Sequence, residues 1–115
     1  METNDQKKAA IASRLALARK QAGLSQGQVA KMLNLHRPSI SEAEAGRRNV
    51  TAIEIAKLAE VYGVSIEWLA CTDSDAPNEA RDKIQLAARE LAKLKKHDLD
   101  KVLDLLNALK TAEDQ

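Results

Sequence analysis

Residues 24–46 read LSQGQVAKMLNLHRPSISEAEAG, and the fold is decided there. LSQGQV (24–29) places an apolar residue, a helix-capping residue and a second apolar residue five positions after the first. That is the hydrophobic staple of a helix start. Ser25 and Gln28 also fit a capping box, in which each side chain satisfies an end N–H of the other residue. LHRPSI (35–40) repeats the staple. His36 is its weak cap, and the helix could equally start at Arg37 with Pro38 in the first helical position, where a missing N–H costs nothing. Between the two starts, Ala30 is small where a pair of helices crosses closely. Asn34 tolerates the positive φ that a tight turn needs. Val29, Leu33, Leu35, Ile40 and Ala43 fall on the side where such a pair faces its support.

Working outward, VTAIEI (50–55) and VSIEWL (64–69) carry the same staple, and Thr51 with Glu54 makes a second capping box. Gly23, Asn34, Gly46 and Gly63 each follow an apolar-periodic run and can close a helix in the left-handed conformation. Five short helices are expected over 5–22, 26–33, 37–45, 52–62 and 66–70. Ile11, Leu15, Val29, Leu33, Ile40, Ile55, Leu58 and Leu69 supply their common core. CTDSDAPN (71–78) reads as a linker rich in turn formers. Beyond it, Asn78 caps a helix running to about Lys96, with Ile84, Ala87, Ala88, Leu91 and Leu94 on one stripe. His97 or Asp98 restarts the chain, and Leu99, Val102, Leu103, Leu106 and Leu109 recur at three- and four-residue steps, widened by Leu105. The expected organisation is a domain over 1–70, a linker over 71–78 and a helical hairpin over 79–115. A hairpin this small cannot bury both stripes alone, so it docks on the first domain or on a second copy.

Composition agrees with an all-α chain. Among 115 residues Phe is absent and Trp and Tyr occur once each, and no Val/Ile/Thr-rich alternating run appears. The single Cys71 cannot form an internal disulfide, and two scattered histidines make no metal-ligand cluster. No cofactor is implied. METNDQKKAA lacks the apolar run of a secretory leader and no stretch approaches membrane-spanning length, so the cytoplasm is the expected compartment. The formal net charge is +1, which neither demands nor excludes a polyanion; what matters is where the charges sit. No Ser/His/Asp or Cys/His set, paired carboxylates in a Gly-rich loop, or phosphate-cradling motif is present, which argues against an enzyme.

The spacing over 26–46 is that of a helix–turn–helix, and residues 11–69 resemble the Cro/repressor-type (xenobiotic-response-element, XRE) helix-turn-helix family. The matching pieces are IASRLALARKQAGLSQGQVAKML, LHRPSISEAEAGRRN and TAIEIAKLAEVYGVSIEWL. The resemblance implies a five-helix, lambda-repressor-like DNA-binding domain in which the helix over 37–45 lies in the DNA major groove. It places Arg37, Pro38, Ser41 and Glu42, with Ser39 beside them, where base edges are within reach. It places Ser25 and Gln26 against phosphate, and Arg47, Arg48 and Asn49 on a loop along the backbone. It also implies an inward ion pair between Arg19 and Glu44. Glu42 points outward, where it either accepts from a cytosine amino group or makes a local pair with Arg37 or Arg47 that aims an arginine at guanine. The arginines also have a plain reading as a solvated charged surface. Pro38 offers only apolar contact, Gly27 weakens its helix, and Val50 stands where the family commonly has proline. Trp68 reads as core or as a lid between the domain and the hairpin. Leu17, at a position often polar in the family, is a spare surface apolar or a docking point.

One such domain reads few base pairs. The expectation is therefore a homodimeric, repressor-like regulator on a palindromic operator in double-stranded DNA, held together by Ile84, Leu91, Leu99, Val102, Leu103, Leu106 and Leu109. The alternative is an antitoxin-like module whose hairpin grips a protein antagonist or toxin.

Overall fold

Four helix starts are written by their caps. Ser25 Oγ accepts the Gln28 N–H while the Gln28 side chain accepts the Ser25 N–H, and Thr51 and Glu54 do the same. Ser65 Oγ accepts from the Trp68 N–H, and the Asn78 side chain from the Arg81 N–H. The computed structural model describes residues 4–72 and 78–113. These residues form seven α-helices and no strand: α1 Asn4–Gln21, α2 Gln26–Met32, α3 Arg37–Glu44, α4 Ala52–Tyr62, α5 Ile66–Leu69, α6 Glu79–Lys93 and α7 Lys96–Glu113. None of them is long and apolar enough to cross a membrane. Of the linker read over 71–78, residues 73–77 lie outside the described residues.

The start of α3 corrects one of the two sequence readings. His36 occupies the cap position without a side-chain hydrogen bond, and Pro38 takes the second helical position rather than the first. Its missing N–H still falls among the four that a helix start leaves unpaired, so the helix loses nothing. In the α2–α3 turn Asn34 adopts φ 58. That lets the Leu35 N–H reach back to the Ala30 carbonyl at 2.7 Å. Gly23, Gly46 and Gly63 also lie at positive φ.

The core lies where α1 to α5 converge. Leu15, Val29, Ile40, Ile55, Leu58 and Leu69 are buried, and Ile11 and Leu33 pack half-buried at its margin. Ala30 and Ala43 are buried where α2 and α3 cross. An arginine shares this interior. On the inward stripe of α1, between Ile11, Leu15 and Ala18, Arg14 is 0% exposed, and its partner Asp82 on α6 is 2% exposed. Arg14 Nε and Nη2 donate to Asp82 Oδ2 and Oδ1 at 3.1 and 3.0 Å. Nη1 donates to the Trp68 carbonyl, and the guanidinium stacks 4.9 Å over the indole. The Trp68 Nε1–H donates to Gln85 Oε1 at 2.7 Å.

This network decides how the C-terminal region sits. A buried guanidinium needs a carboxylate, so α6 turns Asp82, Gln85 and Leu86 inward. Of the two docking options for the stripe, the first domain is not taken: Ile84 is 67% exposed, Ala87, Ala88 and Leu94 are exposed, and Leu91 is half-buried. α6 ends at Lys93, short of the expected Lys96, because Leu94 turns extended (φ −75°, ψ 149°), and α7 resumes at Lys96 rather than at 97 or 98. α6 packs on α1 rather than along α7. On α7, Leu103, Leu105, Leu106 and Leu109 stay 52–59% exposed, while Leu99 and Val102 are half-buried. The radius of gyration, 16.1 Å, exceeds the roughly 13 Å of a compact domain of this length, as a helix lying off the body requires.

Candidate nucleic-acid interface

Helical spacing sorts α3 into two faces. Ile40 and Ala43 are buried beneath it, while Arg37 and Pro38 are exposed and Ser41 and Glu42 half-exposed on the outer side. The inner face is fastened to α1. Arg19 Nε and Nη2 donate to Glu44 Oε2 and Oε1 at 2.6 and 2.9 Å, with side chains 12% and 7% exposed. Arg19 Nη1 also donates to the Leu24 carbonyl at 2.9 Å. The hydrogen bond to Glu44 raises the Arg19 pKa further, against the opposing pull of burial. Burial, with the Glu44 charge nearby, pushes the Tyr62 hydroxyl well above its ordinary range. The clasp thus joins α1 to the last turn of α3, and the α1–α2 turn is tied in through Leu24.

Gln26, read as a phosphate contact, turns its amide inward and donates to Glu44 Oε1 at 3.1 Å. Ser25 is exposed at the head of α2, its hydroxyl engaged in the capping box. A Cβ added at Gly27 would meet only Arg37 Cδ and Ser25 Oγ, both at 3.9 Å. Nothing inside the protein therefore demands glycine there.

On the outer face Glu42 takes the local option. Arg47 Nε and Nη2 donate to its Oε2 and Oε1 at 2.6 and 3.3 Å. The hydrogen bond from Arg47 holds the Glu42 carboxyl below the usual carboxylate range and raises Arg47 in turn. Both side chains are substantially exposed. Among the described residues Arg47 Nη1 makes no hydrogen bond, and the side chain is 67% exposed. The Ser41 hydroxyl donates to the Pro38 carbonyl at 3.2 Å.

Arg48 departs most from its expected role. Its Nε donates to the Ser39 carbonyl, Nη1 to the Asn49 carbonyl and to Glu54 Oε1, and Nη2 to Glu54 Oε2, all at 3.1–3.2 Å. Four of its five N–H groups are committed to stitching α3 to α4. Burial acts to raise the Glu54 carboxyl, but the bonds from Arg48 and Thr51 outweigh it and leave the carboxyl lowered. Sequence reasoning assigned Arg48 by position and had no signal for the Glu54 partner, whose capping role was the only one visible. Asn49 stays exposed. Among the described residues Arg37 has no hydrogen-bond or ion-pair partner, and it is exposed at the head of α3. Among the described residues no group of three His, Cys, Asp or Glu could hold a metal ion.

The outer surface of α3 therefore presents one unpaired guanidinium, one acid-steadied guanidinium, an apolar proline and a hydroxyl, on a helix fixed from behind. The helix-turn-helix family model matches residues 15–69. No curated protein matches the chain.

Proposed function

Residues 15–69 are a helix-turn-helix domain of the Cro/repressor (XRE) type, a DNA-binding regulator domain, and from that premise we propose that the chain is a repressor that occupies a palindromic operator as a homodimer. α3 enters the major groove with Arg37, Pro38, Ser41 and Arg47 toward base edges. Ser25 and Asn49 lie toward phosphates, Gln26 braces Glu44 from the head of α2, and Ser39 lends its carbonyl to the Arg48 bracket. The observation that carries this reading is the unpaired Arg37 at the head of a helix clamped to α1 by Arg19 and Glu44. A rigid helix with an uncommitted guanidinium fits the bidentate reading of guanine.

The dimer rests on α7. Four leucines more than half exposed on one helix form an apolar surface that a chain alone in water would not favour. Leu99, Val102, Leu106 and Leu109 follow heptad spacing. A two-fold pair sets half-sites about 34–36 Å apart. The test is selection of bound sites from random duplexes, which should enrich an inverted repeat at that spacing. A single asymmetric half-site would refute the dimeric operator. In sedimentation the full chain should run as a dimer and Leu103→Lys/Leu106→Lys as a monomer that binds the repeat far more weakly. A chain that is monomeric from the outset would favour instead a protein antagonist on the same leucines.

A further inference from the structure

Two grooves flank α3. The one at its N-terminal end, about 610 Å³, is lined by Lys31, His36 and Arg37 among others. The one at its C-terminal end, about 290 Å³, runs between α1 and the α3–α4 loop and is lined by Lys7, Lys8, Ile11, Ala43, Arg48 and Asn49, with Val50 at its edge. Arg48 is already neutralised there by Glu54. Lys7 and Lys8 are not: neither makes a hydrogen bond or ion pair among the described residues, although Lys8 is half-buried. A lysine half-buried in this way packs its stem along the groove, and among the described residues neither its ammonium nor that of Lys7 has a carboxylate partner. Lying four and three residues before Ile11, both lysines fall on the face that lines the groove. Glu44 and Glu54, on the packed helices α3 and α4, are held by Arg19 and Arg48.

The neighbours indicate which anion would fill the gap. With α3 lying in the major groove, the segments that flank it meet the phosphate backbone, and Lys7 and Lys8 line the groove beside Arg48 and Asn49 of the α3–α4 loop. We propose that Lys7 and Lys8, together with Asn49, form a second phosphate-binding site that grips the DNA backbone beyond the C-terminal end of α3. The site rests on the reading that α3 lies in the major groove. It adds grip that is blind to sequence, opposite the cations at the Arg37 end.

The test uses the full chain and two duplexes, the selected operator and a scrambled one, titrated across a range of salt. Lys7→Ala/Lys8→Ala should weaken both complexes several-fold and leave their ratio unchanged. The slope of log K against log salt should become shallower by about 0.9 for each phosphate no longer neutralised. Lys7→Arg/Lys8→Arg should restore the slope. Lys57→Ala, which removes an exposed, unpaired lysine lining neither groove, should leave it alone. Thermal melting of all variants should match the parent. An unchanged slope in the double alanine variant overturns the site, and so does a changed preference between the duplexes, which would make the lysines base readers. A parent chain with no salt-sensitive complex overturns the reading of α3 as well, so the two failures are distinguishable.

Discussion

Arg14 and Arg19 lie five residues apart on α1, and each closes a two-pronged pair with a carboxylate, but they hold different parts of the molecule in different solvents. Arg19 reaches Glu44 on α3, 25 residues away, in a pair that water still touches. Arg14 reaches Asp82 on α6, 68 residues away, in an interior sealed by Trp68. The first fixes α3, the helix proposed to meet DNA, and the second fixes α6, which leads to the leucine surface of α7 proposed to hold the dimer. α1 is the bracket between them. The two clasps differ in what they risk: a pair within reach of water that fails returns its charges to solvent, whereas a sealed pair that fails strands one of them.

That difference can be broken by deletion. Asp82→Ala removes the two-pronged carboxylate from the buried Arg14 and should cost about 3–5 kcal/mol, read as a fall in the urea midpoint at unchanged slope. Glu44→Ala should cost less, about 1.5–3 kcal/mol, as expected for losing charged hydrogen bonds from which water can partly recover. Equal losses would mean that burial does not separate the two clasps. At the small end, the Arg48–Glu54 pair is partly exposed, and its effect is best seen through pH. The lowered Glu54 pKa means that its stabilising contribution is complete above the ordinary value of 4.5 and is lost as pH falls through the lower folded value. Glu54→Gln should therefore lower stability near neutrality, where the charged pair is complete, change it little below the folded pKa, and so flatten the acid side of the profile. A loss of the same size at every pH would assign Glu54 a role other than this ion pair.

The same contrast explains what could be read from the residues in advance. Helix starts were legible because a cap and its acceptor lie three residues apart, as with Ser25 and Gln28 or Thr51 and Glu54. The α2–α3 turn was legible because Ala30 and Asn34 are demanded by local geometry. Arg19 with Glu44 came from a resemblance, not from spacing. Arg14 with Asp82 had only one faint signal, an arginine on the 11/15/18 apolar stripe of α1. Nothing local named its partner, and so the buried face of α6 was read from its leucines and alanines instead of from Asp82. Glu42 has two open fates because a rotamer cannot be read from a string, and in the free protein it pairs with Arg47. Arg48 was placed by position alone. Its bonds to Ser39, Asn49 and Glu54 depend on how α3 and α4 meet, which no single segment encodes.

The account stands on α3 as a fixed probe led by Arg37, and the most direct measurement is the affinity of Arg37→Ala against a panel of operators, each altered at one base pair. The expected result is a loss of about 1–3 kcal/mol on the preferred site, with discrimination flattened at one base pair in each half-site and kept at the others. Equal weakening across the whole panel would show that Arg37 touches only phosphate, and would contradict the assignment of α3 as the reading helix led by that residue.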